Sequence, residues 1–186
     1  MSKESKLSRA DTKKLFHKLA VARSDILAAR AACRFFVEHV KETNHTIYYP
    51  LFVSVVVCYA RPFTDNNTLG RLPKKWGMYA DPRLQAAHHQ LLKARNEVVA
   101  HSDGNVKEIK VVPAGVEYPW QTLTSKHHGF MIMNYLLPPE SFKTYLDTIY
   151  DLMDRLNPEV QRLFDELYVG QQMPADVFPL QFNDEL

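Results

Sequence analysis

The sequence predicts an all-α protein, a helical bundle with a small extended or hairpin insert after the third helix. From Leu15 to Val40, apolar residues recur at alternating steps of three and four, which is typical of an amphipathic helix. Asp81-Pro82 and Asn157-Pro158 combine a capping side chain with a proline, a pattern found at helix starts. The chain has 186 residues, 46% hydrophobic and 24% charged, and this size and balance predict a single globular domain over residues 1–186.

The first two helices are predicted from residue type and periodicity. The first should run from about Asp11 to about Glu42, with an apolar seam that suits a coiled coil or a helical bundle. Ile47 to Ala60 is rich in valine, tyrosine and phenylalanine and could form a buried strand or a helix. Its length and the early position of Pro50 favour the helix. Residues 61–80 lack periodicity, so we expect a functional loop or a short helix there.

The third helix should begin at Asp81-Pro82 and end near Ser102, with Gly104 just beyond it. On an α-helix its apolar residues share one face, and that face must be buried against a partner. The stripe consists of Leu84, Ala87, Leu91, Ala94 and Val98.

The second half of the chain is predicted to contain an insert, two more helices and a tail. Residues 105–137 hold short apolar runs separated by prolines and glycines, which favours an extended or hairpin insert. A helix should open at Pro138, and Asn157-Pro158 should start a separate, shorter helix that ends near Val169. Residues 170–186 contain two prolines and no periodicity, so we expect an irregular tail.

Composition narrows the classes of function. A net charge of +2 is too small for RNA binding that relies on bulk electrostatics, so any RNA contact must be local.

Cys33 and Cys58 lie in apolar stretches without metal-ligand spacing, which favours reduced core cysteines in a reducing compartment. No signal-peptide pattern or membrane-length apolar run is evident, so we expect a soluble cytoplasmic protein without membrane contact. His88-His89 and His127-His128 lack the other members of a ligand set, and we expect no metal or cofactor.

The end of the third helix carries the strongest functional signal. Arg95 can hold a phosphate in a fork of donors, Asn96 can orient a substrate or a histidine, and His101 can move protons near neutral pH. These three residues are therefore the candidate catalytic residues. The structural alternatives are a salt bridge from Arg95 to Asp65 or Asp103, and a His101 that contacts backbone carbonyls at the helix end.

Helical geometry separates these side chains within one copy of the chain. On a continuous α-helix, Arg95 and His101 lie about 60° to either side of Val98 and about 9 Å apart along the axis. Arg95 could reach along the helix toward His101, or two copies of the helix could line one cleft. We favour the second arrangement, a two-fold homodimer.

The run from Arg95-Asn96 to His101 resembles the motif of the HEPN superfamily, the "higher eukaryotes and prokaryotes nucleotide-binding" domains. That motif is an arginine, four to six intervening residues and a histidine, commonly with a polar residue directly after the arginine. In this chain the gap is five residues and the polar residue is Asn96. The run from Tyr59 to Phe63 also resembles members related to phage abortive infection. The resemblance covers mainly residues 47–104, and the insert after Gly104 is not part of the family's minimal four-helix pattern.

The resemblance implies an antiparallel helical bundle that dimerises and often cleaves RNA without a metal. The ribose 2′-hydroxyl would attack the adjacent phosphorus, giving a cyclic phosphate and a free 5′-hydroxyl. His101 would act as general base or acid, Arg95 would stabilise charge on the phosphoryl oxygens, and Asn96 would orient substrate or histidine. Such a protein would be a toxin or a phage-defence component, with a neutralising antitoxin or a nucleotidyltransferase as partner. Other members only bind nucleotides, RNA or partners, and a non-catalytic dimerisation module is the alternative.

Charged residues near the motif are candidates for substrate contact. Arg61 ends the second helix and could point into the same cleft, or it could interact with the C-terminus of its own helix. Positive charge beside Trp76 and Tyr79 is typical of single-stranded RNA contacts, although a solvated loop is the alternative. The predicted substrate-binding residues are Arg61, Lys74, Lys75 and Asp103.

Overall fold

The computed structural model of the chain describes residues 7–43, 46–65, 69–96, 107–115, 129–134, 137–172, 175–177 and 179–180. The α-helices in this part of the chain are α1 (Arg9–His39), α2 (Tyr48–Ala60), α3 (Pro82–Ala94) and α4 (Ser141–Tyr168). The strands are β1 (Lys107–Val112) and β2 (Gly129–Asn134). The predicted all-α helical bundle is confirmed. None of the described helices is long and apolar enough to cross a membrane.

Helix α1 forms where the apolar periodicity predicts it. Ser8 caps its start, because the Ser8 hydroxyl oxygen accepts a hydrogen bond from the Asp11 backbone N–H at 3.1 Å. The predicted seam is buried along the helix, from Leu19 at 0% exposure to Phe36 at 0%. Cys33 is a free thiol within this seam, and its Sγ contacts the Phe142 carbonyl at 3.3 Å.

Helices α1 and α4 run antiparallel along most of their lengths. Near the start of α1, the ring centroid of Phe16 lies 6.0 Å from that of Phe164, near the end of α4. Toward the other end, Phe36 stacks on Phe142 with ring centroids 3.6 Å apart. Phe36 and Phe142 are fully buried, and Phe16 is partly buried beside an exposed Phe164. These contacts at the two ends help to fix the register of the two long helices.

The segment Ile47 to Ala60 is a helix, as its length predicts, and α2 runs antiparallel to α1. At the start of α2, the ring of Tyr48 lies 5.0 Å from that of Phe36. Just after its end, the Arg61 side chain reaches Asp25 in the middle of α1 at 3.4 Å. Residues 61–80 contain two 3₁₀ turns, Arg61–Phe63 and Lys74–Gly77, in agreement with the predicted short helix.

Helix α3 packs on α4 and α2 of the same chain. Its start is capped as predicted, with the Asp81 carboxylate accepting from the Arg83 backbone N–H at 2.8 Å. Ala87, Leu91 and Ala94 are buried in the common core, at 3%, 0% and 4% exposure. Leu84, at the start of the stripe, is only partly buried. The part of the predicted stripe from Ala87 to Ala94 is therefore covered within one chain and does not require a second copy.

The prediction of a separate helix after Asn157-Pro158 was wrong. Helix α4 continues through Pro158 to Tyr168, and Asn157 accepts a hydrogen bond from Arg23 Nε at 2.8 Å instead of capping a new helix. Leu156 and Leu163, on either side of the proline, are both fully buried. Burial of this continuous stripe outweighs the cost of one interior proline, which is about 3 kcal/mol.

The predicted insert contains an antiparallel pair of strands. Strand β1 pairs with β2 in a register that places Lys107 opposite Asn134 and Val112 opposite Gly129. Both strands lie between residues 105 and 137, where the sequence predicts extended structure or a hairpin. Because this strand pair follows α3 in the chain, it does not interrupt any of the described helices.

Candidate functional site

The described residues cover the predicted third helix only as far as Asn96, and its predicted end near Ser102 lies outside them. The α-helix ends at Ala94, and Arg95 and Asn96 adopt a π-helical conformation. The Arg95 backbone N–H donates to the carbonyls of both Leu91 and Leu92. His101 and Asp103 lie outside the described residues.

Arg95 and Asn96 are joined through their side chains. Arg95 Nη1 donates a hydrogen bond to Asn96 Oδ1 at 3.1 Å, with Arg95 half-buried and Asn96 exposed. Asp65, one of the alternative ion-pair partners, lies 3.8 Å from Arg71 instead. The structure therefore brings together two of the three predicted catalytic residues, in a pair whose amide carbonyl orients the guanidinium.

Arg61 faces a different neighbour from Arg95. Its guanidinium lies 3.4 Å from the Asp25 carboxylate of α1, and its side chain is 60% exposed. Tyr59, two residues earlier, contacts His88 in the middle of α3, and Arg95 lies about 10 Å further along that helix. The structure therefore does not place Arg61 and Arg95 in a shared cleft within one chain.

Lys74 and Lys75 are exposed on the second 3₁₀ turn, but the aromatic rings beside them are buried. Lys75 Nζ lies 5.4 Å from the centroid of the Trp76 ring. Trp76 is 5% exposed and Tyr79 is 9% exposed, and the Arg155 guanidinium covers the Tyr79 ring at 4.7 Å. The prediction of an aromatic surface for base stacking is wrong, because both rings are buried by packing against the bundle.

The structure also contains a buried polar cluster that sequence reasoning missed. The Tyr59 hydroxyl lies 2.8 Å from the Tyr79 hydroxyl and 2.9 Å from His88 Nδ1. These residues come from α2, from the segment before α3, and from α3 itself. One signal for the cluster is present in the sequence, since His88 lies three residues before Leu91 and so borders the apolar stripe.

Burial keeps every member of this cluster neutral at physiological pH. Burial, together with electrostatic interactions with the neighbouring His89 and Arg155 side chains, lowers the pKa of His88 to about 4. Burial raises the pKa of Tyr79 to about 12 and raises the pKa of Tyr59 well above its ordinary value. The hydrogen bonds of these neutral groups tie together α2, α3 and the segment before α3.

The two adjacent histidines of α3 contact different partners. His88 Nδ1 faces Tyr59, whereas His89 Nε2 lies 3.0 Å from the Gln85 amide nitrogen. That amide nitrogen also donates to the Gly77 carbonyl at 3.1 Å. In the part of the chain that the structure describes, no group of three or more histidine, cysteine, aspartate or glutamate residues is arranged to hold a metal ion.

Comparisons with protein-family models, with curated proteins and with solved structures found no match to this chain. The resemblance to the HEPN superfamily is therefore a prediction from Arg95, Asn96 and His101 in the sequence. The confirmed helical bundle is compatible with that prediction, but many unrelated proteins share this class of fold, so function must be argued from the site.

Proposed function

We propose that the chain is an HEPN-like endoribonuclease that cleaves RNA without a metal ion. The proposal is carried by the pairing of Arg95 with Asn96, whose side chains are 3.1 Å apart at the π turn that ends α3. A hydrogen bond from an amide restricts the orientation of the guanidinium before substrate arrives, which favours transition-state stabilisation. π turns within helices are frequent at functional sites.

In the proposed reaction the ribose 2′-oxygen forms a bond to the adjacent phosphorus, and the bond from phosphorus to the 5′-oxygen breaks. The products are a 2′,3′-cyclic phosphate and a free 5′-hydroxyl, so no water is consumed. His101 takes the proton from the 2′-hydroxyl or gives a proton to the leaving 5′-oxygen. Arg95 stabilises the negative charge that develops on the phosphoryl oxygens. Asn96 holds Arg95 in position.

The proposed enzyme acts as a homodimer in the cytoplasm, as a toxin or phage-defence component restrained by a protein partner. Dimerisation would use a surface other than the α3 stripe, because Ala87, Leu91 and Ala94 are already buried by the same chain. Each copy would supply an Arg95-Asn96 pair and a His101 to a cleft at the ends of the α3 helices.

Cleavage of single-stranded RNA by the purified protein in EDTA tests this proposal. His101→Ala should abolish cleavage, and Arg95→Ala should lower the rate by about 10²- to 10³-fold, the usual effect of losing a transition-state donor. His89→Ala is the matched control, because His89 is an exposed histidine of α3 outside the motif and should leave the rate unchanged. Wild-type rates in a folded His101→Ala protein would contradict the proposal.

A non-catalytic binding or dimerisation module is the second candidate. The observation that favours it is the same Arg95-Asn96 hydrogen bond, since such a bond also stabilises a helix end. This candidate predicts no RNA cleavage and a weaker dimer in Arg95→Ala, measured by sedimentation velocity. An unchanged dimer in that variant would count against it, and a stable wild-type monomer would contradict the dimeric forms of both proposals.

A further inference from the structure

A cleft of about 190 Å³ lies between the first half of α1 and the segment that follows α2. We call it the α1-α2 cleft. Its wall is largely apolar and includes Pro62, Leu69 and Leu72. This volume is smaller than that of a typical drug-sized pocket, which is roughly 300 to 1,000 Å³, so the cleft suits a ligand of few atoms.

Three charged side chains from two helical segments line the α1-α2 cleft: Lys18 and Asp25 of α1, and Arg61 at the end of α2. Two cations face one carboxylate, so the lining has an excess of one positive charge. A small monoanion would balance this charge. Apolar walls with a few convergent charged groups are typical of sites for small organic ligands.

The contacts of the two cations are long. Arg61 Nη1 lies 3.4 Å from Asp25 Oδ1, and an ion pair of this length with an exposed guanidinium contributes little stability. Lys18 Nζ contacts the Arg71 carbonyl at 3.4 Å, near the upper limit for a hydrogen bond. An ammonium has three donors and a guanidinium has five, so within the described residues these contacts leave both groups with donors for an additional acceptor.

Gly70 lies at the edge of the cleft beside Lys18. Its φ is +64°, a left-handed conformation that favours glycine, and a Cβ at this position would lie 3.7 Å from Lys18 Nζ. The missing side chain therefore keeps one approach to the ammonium open. Gly70 and Lys18 both line the cleft, so this approach leads to the ammonium from the cleft itself.

We propose that the α1-α2 cleft binds a small organic anion. Its phosphate or carboxylate head lies between Lys18 and Arg61, and its apolar body packs against Pro62, Leu69 and Leu72. Phosphate and carboxylate share the geometry that a guanidinium recognises with paired N–H groups. This site is separate from the Arg95-Asn96 pair, so it gives Arg61 a role that is independent of RNA cleavage.

Methyl NMR titration of the full chain tests the site with three probes. Phenyl phosphate and benzoate carry a head and an apolar ring, whereas inorganic phosphate carries only a head. The ring-bearing probes should shift the methyl signals of Leu69 and Leu72 and bind more tightly than inorganic phosphate, because only they bury apolar area. Comparison of the two ring-bearing probes shows which head group the cleft prefers. Shifts spread over the whole surface, or none at the cleft, would overturn the proposal.

Substitutions of the charged residues that line the cleft should change its affinity for the anion in opposite directions. Lys18→Met and Arg61→Met should each weaken binding by about tenfold, the usual effect of losing one charge-assisted hydrogen bond. Asp25→Asn should tighten binding, because it removes the carboxylate that competes for Arg61. Lys143→Met is the matched control, since Lys143 is an exposed lysine of α4 outside the cleft. Equal affinities in Arg61→Met and Lys143→Met, or no tightening in Asp25→Asn, would refute the assignment.

Discussion

The buried histidine of α3 should make the protein lose stability in mild acid. His88 is 5% exposed, and its pKa in the folded chain is about 4, compared with an ordinary value of 6.5. Between these two values the unfolded chain binds a proton more readily than the folded chain. The contribution of His88 is therefore fully present above about pH 6.5 and is lost as the pH falls toward 4.

The size of the effect follows from the pKa shift. One pKa unit corresponds to about 1.36 kcal/mol, so the free energy of unfolding should fall by about 2.5 kcal/mol between pH 7.5 and pH 4.5. Penetration of water to the ring would reduce this value, because solvent screens the charge of the protonated imidazole. For a domain of this size, a loss of that magnitude is a large part of the total stability.

Urea unfolding of the wild type and of His88→Asn at several pH values isolates this contribution. Asparagine does not titrate. The difference in free energy of unfolding between the two proteins therefore changes with pH only because of His88. Any packing that the substitution loses shifts this difference by the same amount at every pH. The wild type should lose about 2.5 kcal/mol more than the variant between pH 7.5 and pH 4.5. NMR titration of the His88 ring in the folded wild type provides an independent measurement. A difference that does not change with pH, or a ring that titrates near 6.5, would refute the reasoning.

Two further substitutions test the packing of the bundle. Gly77→Ala should lower the free energy of unfolding by about 1 to 3 kcal/mol, because the added Cβ would lie 2.7 Å from Nε2 of the buried His88 ring. In urea unfolding, that loss should largely disappear when His88 is replaced by alanine, and an equal loss in both backgrounds would contradict the assigned contact. Pro158→Ala should raise the free energy of unfolding by about 1 to 3 kcal/mol, because Pro158 is exposed inside α4 and cannot donate a helical hydrogen bond. A lower melting temperature in this variant would show that the proline stabilises the chain by restricting the unfolded state.

Much of the fold could be predicted because long helices carry strong local signals. The seam of α1 and the cap at Asp81 follow from periodicity and from the chemistry of the residues at helix starts. The prediction at Pro158 was wrong because long-range packing outweighed a local signal. Asparagine followed by proline is locally typical of a helix start. The packing of α4 along α1, however, is more favourable when its apolar stripe is continuous.

The candidate site was only partly predictable. Arg95 and Asn96 are neighbours in the sequence, but their π-helical conformation and the hydrogen bond between their side chains were not predicted from it. The burial of Trp76 and Tyr79 could also not be predicted from the residues near them in the sequence. Their surroundings are set by Arg155, which lies on a helix much later in the chain.

The sequence by itself determined the class of fold, the positions of most helices and the residues of the Arg95-to-His101 motif, because periodicity and residue chemistry act over short stretches of chain. The tertiary structure alone decided which surfaces are covered. It buried Ala87, Leu91 and Ala94 of α3 against the chain's own helices. It also joined Tyr59, Tyr79 and His88 in one buried cluster and placed Arg61 beside Asp25. These outcomes depend on contacts between residues far apart in sequence, which no local pattern encodes.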